Sequence, residues 1–202
     1  MTQKIFGKYD NEGIEIKDLS LAQVISLHPV VIPHTSGRHA KKPLGKMHVN
    51  IVERLANKLM RGGTGEKTSG KVIRTHGKMQ GKKFKALRIV EAAFETVATE
   101  TKENPVQVLV RAVENAAPHE DVTRVSFGGV SYQIAVDISA TRRLDMALRN
   151  IALAAILGSF NKGKRLSQSL SAEIMNTAKG DIQTSYAMKK RDETERMARS
   201  AR

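Results

Sequence analysis

Two segments of alternating apolar and polar residues meet at Gly128-Gly129, and this hairpin signal most constrains the fold. A two-residue Gly-Gly turn predicts a β-hairpin over residues 121–138, with Phe127 opposite Val130. In that register one face carries the larger apolar side chains and the other face is polar. A two-stranded ribbon is only marginally stable in water unless something covers its apolar face. The cover is either the protein's own core, the usual case for a hairpin, or a partner molecule.

Around the hairpin, apolar residues recur with the 3.6-residue period of amphipathic helices. The first apolar stripe runs from Ile51 to Met60 and the second from Phe84 to Ala98. A third helix is predicted to open at Asn104-Pro105, because asparagine caps helices and proline suits the first helical position. Three more helices follow the hairpin: one capped by Ser139 and ending at Gly158, one from about Arg165 to Lys179, and one from Tyr186 to Arg199. The sequence therefore predicts a mainly α fold, a bundle of about six helices with one protruding β-hairpin arm.

Residues 1–48 differ from the rest of the chain and are predicted to form a separate N-terminal extension, partly extended and basic. The helical domain is predicted to cover residues 49–202. The extension offers a short strand around Ile14–Ile16 and a helical piece begun by Ser20. The run from His28 to His48 contains prolines and no acid, and its Lys and Arg residues are Arg38, Lys41, Lys42 and Lys46.

The charge balance restricts the class of partner. The 202 residues include 34 Lys and Arg against 20 Asp and Glu, a formal net charge of +14. Such an excess of cations indicates a polyanion, either nucleic acid or an anionic membrane. A membrane is disfavoured, since no apolar run approaches the about 20 residues of a spanning helix and the N-terminus lacks a secretion signal. The chain has no cysteine, which excludes disulfides and Cys-based zinc sites, and we expect a cytoplasmic location.

A glycine-rich basic loop lies between the first two apolar stripes. Its sequence from Gly62 to Thr68 looks like a nucleotide-binding phosphate loop, but Glu66 stands where that motif needs glycine, and the loop follows a helix. From Arg61 to Lys85 there are eight Lys or Arg, one acid and six glycines. Unpaired cations on flexible backbone favour contact with a phosphate backbone over a merely solvated loop.

Patterns typical of catalysis are missing from the sequence. The six histidines never take the His-x-x-x-His spacing of a helical metal site, and no nucleophile is recognisable beside a base. Acidic residues alternate with basic ones on helix faces, as solvated ion pairs do. We therefore expect no enzymatic activity, no metal, no cofactor and no small-molecule substrate. Because aromatic residues are few, we also do not expect single strands to be bound mainly by base stacking.

Several motifs, taken in order along the chain, resemble one protein family. They are Val52-Glu53-Arg54-Leu55, Arg88-Ile89-Val90, Glu103-Asn104-Pro105, Gln107-Val108-Leu109-Val110, Gly128-Gly129 with Tyr132-Gln133, Arg142-Arg143, and the run from Ser185 to Glu193. This ordered set resembles the family of the universal seventh protein of the small ribosomal subunit, over nearly the whole chain. The run from Pro33 to Arg38 and the end at Ser200-Ala201-Arg202 are similar to its archaeal and eukaryotic cytosolic branch, and we expect an archaeal member.

The resemblance implies a structural, non-catalytic role in translation. It implies binding to the 3′ major (head) domain of small-subunit rRNA, help in nucleating head assembly, and a hairpin arm near the exit-site tRNA and the mRNA path, beside neighbouring head and platform proteins. The residues predicted to bind rRNA, from charge and from the resemblance, are Arg38, Lys41, Lys42, Lys71, Arg74, Lys78, Lys82, Lys83, Lys85, Arg142, Arg143, Lys189, Lys190 and Arg191. The arm residues predicted to face tRNA and mRNA are Arg124, Phe127, Gly128, Gly129, Tyr132 and Gln133.

Two positions depart from many bacterial members of that family. Val125-Ser126-Phe127 stands where those members have Arg-Arg-Val, and Ala140 stands where proline is common. We therefore expect contacts at the arm tip to be steric or through the backbone. The alternative function is an architectural DNA-binding protein, because a helical body with a β-arm also suits duplex minor grooves.

Overall fold

The computed structural model of the protein describes residues 3–61 and 79–202, together with the backbone of residues 67–68 and 71–72. Within these ranges there are seven α-helices: α1 (Leu19–Ala22), α2 (Ile51–Leu59), α3 (Lys83–Thr101), α4 (Pro105–Ala116), α5 (Ala140–Ser159), α6 (Leu166–Lys179) and α7 (Tyr186–Ser200). Two 3₁₀ helices, Arg38–Lys41 and Gly45–His48, precede α2. The strands form two antiparallel pairs: β1 (Lys67–Thr68) with β2 (Lys71–Val72), and β3 (Glu120–Phe127) with β4 (Val130–Asp137). The mainly α fold with one long hairpin is confirmed.

Helix boundaries follow local capping chemistry at several predicted positions. The Asn104 side chain accepts the Val106 N–H at 3.0 Å with Pro105 at the first helical position, and Gly180 closes α6 with a φ of 77°. Ser139 precedes α5 as predicted, but its hydroxyl makes no capping hydrogen bond to the helix backbone. The predicted end of α5 at Gly158 is one residue early, because the helix continues to Ser159.

The core is centred on α5. Its buried residues Leu144, Leu148, Ile151 and Ala155 recur once per turn, and the helix contacts α1, α2, α4, α6 and α7. α6 packs against α3, α4 and α5, so its apolar face is enclosed on several sides. Each fully buried Leu or Ile contributes roughly 1.5–3 kcal/mol to stability, which makes this contact region the main stabiliser of the bundle.

The N-terminal segment packs onto the helical body. Ile5 and Leu21 are fully buried, and the rings of Phe6 and Tyr9 meet the Phe94 ring edge-on with centroids 6.4 and 6.1 Å apart. The segment therefore shares a core with the helices. The division of the chain into an N-terminal extension and a helical domain at residue 48 stays a prediction.

Two local predictions in this segment were wrong. Residues 14–16 are not a strand, since the side chain of Gln107 pairs with the backbone there: its Oε1 accepts the Glu15 N–H at 2.9 Å and its Nε2 donates to the Glu15 carbonyl at 3.0 Å. Helix α1 begins after Asp18 and not at Ser20, because the Asp18 carboxylate accepts the N–H groups of the first turn. In both places a side chain, that of Gln107 or that of Asp18, forms hydrogen bonds with the backbone that were not expected from the sequence pattern.

The hairpin has the predicted register. Phe127 pairs with Val130, Val125 with Tyr132 and Thr123 with Ile134. Gly128 and Gly129 have φ angles of 58° and 82°, which a primed two-residue turn requires. Phe127 is 82% exposed, and the apolar residues that share its face are also exposed: Val125, Val130, Tyr132, Ile134 and Val136. The protein's own core therefore does not cover this face, although such cover is the usual case for a hairpin.

Candidate nucleic-acid interface

Glu53 of α2 is the buried centre of one group of basic residues. Its side chain is 1% exposed, and its carboxylate accepts the Thr35 N–H at 2.9 and 3.0 Å and the Thr35 hydroxyl at 2.8 Å. It also forms an ion pair with Lys83. These contacts satisfy the buried charge and hold the N-terminal segment, α2 and the start of α3 together.

Lys83 is therefore placed differently from its neighbours in sequence. It is largely buried and engaged by Glu53, whereas the adjacent Lys82 and Lys85 are exposed. The predicted residues of the nearby 3₁₀ helix and its end are exposed as well: Arg38, Lys41 and Lys42. Lys83 is thus engaged within the protein, and the cations around it are exposed.

Asp145 of α5 forms a second acidic centre. Its carboxylate pairs with Lys46, with Arg54 at 3.2 Å and with Lys58 at 3.1 Å. Burial would raise the pKa of Asp145, but the hydrogen bond from Lys46 and the charges of Lys58 and Arg54 lower this pKa to about 2. Burial lowers the pKa values of Lys58 and Arg54, and Asp145 offsets only part of that effect. One carboxylate faces three cations, so positive charge remains in excess.

A cleft of about 200 Å³ opens beside these cations. It is lined by His39, Lys46, Val49, Arg54, Asn57, Lys58 and Arg61. The Arg54 side chain is almost completely buried, and its Nε has no hydrogen-bond partner within the described protein. A concave surface with uncompensated cations focuses positive potential, which is the electrostatic requirement for binding phosphate oxygens. We refer to this feature as the basic cleft.

Arg143 anchors the start of α5 within the protein. The residue is 4% exposed, and its guanidinium donates to Asp18 at 2.7 Å, to the Ser20 hydroxyl at 2.7 Å and to the Pro118 carbonyl at 3.1 Å. Burial would raise the pKa of Asp18, but the hydrogen bond and charge of Arg143, together with the N–H groups of Leu21 and Ser20, lower this pKa. Arg143 is thus an internal clamp between α1, α5 and the approach to the hairpin. The sequence prediction that it contacts RNA does not correspond to an accessible side chain.

A second group of predicted cations lies at the start of α5 and in the first half of α7. The Arg142 side chain is 66% exposed and pairs with Asp121 at 3.1 Å. Lys189 is exposed, Lys190 pairs with Glu193 at 2.9 Å, and Arg191 donates to the Asn115 carbonyl at 2.7 Å. Arg142 and Lys189 are therefore the most accessible cations of this second group.

The arm presents two chemically different faces. Arg124 and Gln133 are paired across the polar face, and Phe127 and Tyr132 lie on the exposed apolar face. Gly128 and Gly129 form the turn at the tip. The predicted arm residues are thus brought together on one ribbon.

Three of the predicted contact residues lie in the glycine-rich loop. Arg74 and Lys78 lie outside the described residues, and Lys71 is described only as part of strand β2. Their proposed contact with RNA stays a prediction.

The predicted site omitted several residues of the basic cleft. Lys46, Lys58 and Arg61 line it, but in sequence they look like ordinary helix or loop cations. The sequence pattern that could have identified them is the helical spacing of Arg54, Asn57, Lys58 and Arg61, which places these residues beside the apolar stripe that runs from Ile51 to Met60. The acidic partner Asp145 could not be assigned, because it lies 91 residues from Arg54.

Phe84 was predicted to lie in the core stripe of α3, and this prediction was wrong. The residue is 67% exposed, and its ring stacks on His34 with centroids 5.5 Å apart and planes 26° apart. Leu87 and Val90 continue the buried stripe without it.

Among the described residues, no group of three or more His, Cys, Asp or Glu side chains is placed to hold a metal ion. None of the helices in the same residues is long and apolar enough to cross a membrane.

Comparison with known proteins gives one consistent family. A family model described as ribosomal protein S7p/S5e matches residues 21–202. The curated small ribosomal subunit protein uS7 of Methanococcus maripaludis strain C7 is 47% identical over 202 residues, covering 100% of both chains. The corresponding protein of Methanococcus vannielii is 46% identical over 199 residues, covering 98% of this chain and 95% of the relative.

Proposed function

Because this chain belongs to the ribosomal protein S7p/S5e family, we propose that it binds the 3′ major (head) domain of small-subunit rRNA and helps to nucleate assembly of the head. It is a non-enzymatic, RNA-binding component of the small subunit of the cytoplasmic ribosome in an archaeal-type lineage. Beyond membership of the family, we propose which domain of the RNA the protein binds and which of its surfaces contact that RNA.

The basic cleft is the observation that carries this proposal. Four cationic side chains, Lys46, Arg54, Lys58 and Arg61, line it, and Asp145 is the carboxylate paired with three of them. Phosphates of a folded RNA would neutralise the remaining charge and release counterions into solution. Because Lys46, Arg54 and Lys58 are paired with Asp145, these three cations are already in place before RNA binds.

Folded RNA suits this surface better than a regular duplex. The exposed cations around Glu53, those of the cleft, and those at the hairpin base lie on different elements of the bundle. Such separated basic sites match phosphates that RNA folding has brought close together, and recognition is then mainly by shape. The exposed Lys82, Lys85 and Arg142 are the proposed direct contacts, and the buried Lys83 and Arg143 position them.

We further propose that the arm reaches towards the exit-site tRNA and the mRNA path, beside neighbouring proteins of the head and platform. The exposed apolar face of the arm supports contact with protein side chains or bases, and Arg124 on the polar face suits a phosphate. A ribbon without internal cover gains most from such a partner.

A charge-matched pair of variants tests the RNA surface. The test variant changes Lys41, Lys42, Arg61 and Lys82 to Gln, all of them exposed near Glu53 or the basic cleft. The control variant changes Lys4, Lys17, Lys102 and Arg111 to Gln. These residues lie in the N-terminal segment, at the end of α3 and on α4: Lys4 pairs with Asp10, Arg111 pairs with Glu103, and the Lys17 N–H donates to Glu114.

Binding is measured with separate transcripts of the 3′ major, central and 5′ domains of an archaeal small-subunit rRNA, over a range of salt concentrations. We expect the wild-type protein to prefer the 3′ major domain. We expect the test variant to reduce the slope of log K against log salt by about 3, since each lost phosphate contact removes roughly 0.7–0.9. A slope equal to that of the control variant, or a preference for duplex DNA, would overturn the proposal.

A further inference from the structure

Phe84 and His34 form a small aromatic platform on the surface of the protein. Phe84 lies in the first turn of α3, and His34 comes from the N-terminal segment. Their rings stack, yet Phe84 remains 67% exposed, so the face of its ring turned away from His34 is accessible to solvent. An exposed phenylalanine is common on protein surfaces, but one that is already half of a stack is oriented for a second planar group.

The platform is held in place by the buried contacts around Glu53. Thr35, the residue after His34, donates its N–H and hydroxyl to that carboxylate, and Lys83, the residue before Phe84, pairs with the same group. The His34 ring is oriented by a hydrogen bond from the Ser36 N–H to its Nδ1 at 2.9 Å. Both rings are thus attached to one buried carboxylate through their immediate neighbours, and little conformational freedom is lost when a ligand stacks on them.

Three exposed cations lie close to Phe84 in the sequence. Lys82 and Lys85 flank Phe84 in the sequence, and Arg88 lies one helical turn further on the same side of α3. A ligand that places a flat ring on Phe84 and phosphates beside it matches this arrangement, whereas an apolar protein side chain would leave the cations without partners. An unpaired nucleotide has this combination of groups.

We propose that Phe84, backed by His34, is a stacking site for an unpaired nucleobase of the bound RNA. This inference rests on the proposed function. It adds a sequence-tolerant contact to a surface otherwise described by phosphate neutralisation, because every base has a π-face.

The chain contains no tryptophan, so the Phe84→Trp protein would carry a single tryptophan at the platform. This variant retains a stacking ring, Phe84→Leu retains apolar bulk without a flat ring, and Phe84→Ala removes both. Leu19→Ala serves as the control for loss of an exposed apolar side chain on another helix. Because Phe84 is exposed, all four full-length variants are expected to unfold in urea at the wild-type midpoint within error.

The variants are titrated with the 3′ major-domain transcript. Phe84→Ala is expected to weaken binding about 5- to 150-fold, the range for loss of one stacked base, while the salt slope stays at the wild-type value. Phe84→Leu should also bind more weakly than wild type, and Phe84→Trp and Leu19→Ala should bind within about twofold, since the stacking ring is kept in both. The tryptophan emission of the Phe84→Trp protein should be quenched when RNA binds.

Two results would overturn the inference. One is wild-type affinity of Phe84→Leu and Phe84→Ala, as expected if a neighbouring protein covers the platform. The other is tryptophan emission that RNA saturation leaves unchanged. A wild-type protein that fails to bind the transcript would instead refute the proposed function, and this inference with it.

Discussion

Arg143 and Asp18 lie 125 residues apart in the chain, and their side chains meet at 2.7 Å. The same guanidinium donates to Ser20 and to the carbonyl of Pro118. One side chain therefore fixes α1 and the approach to the hairpin against the start of α5. A planar fork with several donors suits this role, and the single ammonium of lysine does not.

Replacing Arg143 with Ala should destabilise the fold more than it alters RNA contacts. The change leaves the Asp18 carboxylate, which is 23% exposed, without its ion-pair partner, so the cost should lie below the about 3–5 kcal/mol of a fully buried pair, at about 2–3 kcal/mol. Urea unfolding at neutral pH measures the loss. Arg143→Lys should recover only part of it, because the fork geometry is missing.

Arg142→Ala is the matched control at the adjacent position. Its side chain is 66% exposed, so stability should change by less than about 0.5 kcal/mol while RNA affinity falls. If Arg142→Ala unfolded as readily as Arg143→Ala, the assignment of one residue to the interior and the other to the surface would be wrong.

Asp145→Asn should remove a pH-dependent part of the stability. The pKa of Asp145 in the folded protein is about 2, below its ordinary value of 3.8. The carboxylate therefore stabilises the fold fully above about pH 4, and this contribution is lost as the pH falls through 2. At pH 7 the Asn variant should be less stable by about 2 kcal/mol, after allowance for the partly exposed carboxylate and its screening by solvent.

The measurement is urea unfolding of both proteins at pH 7, pH 4 and pH 2.5. The difference between wild type and Asp145→Asn should be similar at pH 7 and pH 4 and should shrink at pH 2.5. A difference that is constant across all three values would show that Asp145 acts through packing and not through its charge.

A shortened arm should leave the helical body intact. Deleting residues 124–127 and 130–133 joins the Thr123–Ile134 pair to the same Gly-Gly turn, so register and turn type are retained. The deleted residues are exposed, and their removal should change the unfolding free energy by less than about 1 kcal/mol. Incorporation into reconstituted small subunits should be impaired, since the deletion removes the surface that we propose to face a partner. A large fall in stability would mean that the arm supports the core.

Ser185→Ala should weaken the junction between α6 and α7. The Ser185 hydroxyl caps α7 by accepting the Met188 N–H at 3.2 Å and donates to buried Glu173 at 2.9 Å. Losing a cap and a hydrogen bond to a carboxylate should cost about 1–3 kcal/mol. Thermal unfolding detects this loss, and Ser200→Ala in the last turn of the same helix provides a control expected to melt near the wild-type temperature.

Local chemistry explains which parts of the fold could be predicted from the sequence. The hairpin register follows from Gly128-Gly129 and the alternation beside it, and the start of α4 follows from Asn104-Pro105. Both signals involve residues that are neighbours in the chain, so no knowledge of distant contacts is needed. Among the described residues, the seven helices are the six predicted for the bundle and α1, where a helical piece beginning at Ser20 was predicted.

The candidate site was less predictable because it depends on distant partners. Lys82 and Lys83 are adjacent and equally charged, but side chains at successive positions of a helix point about 100° apart. Of these two lysines, only Lys83 pairs with Glu53. Arg142 and Arg143 differ for the same reason, with Asp18 as the distant partner. Phe84 has the spacing of the apolar stripe of α3, but it lies in the first turn of the helix, and its side chain is outside the core. Charge and period therefore located the basic regions and could not separate structural cations from accessible ones.

The distal part of the arm, residues 124–133, is exposed and contributes no side chain to the buried core, so its backbone pairing is that of its own ladder and turn. A mutation in this part of the arm would therefore escape the cellular quality control that recognises unfolded chains, because the helical body of the mutant protein stays folded. Given the function proposed above, a defect of this kind would become visible only when a small subunit stalls in maturation.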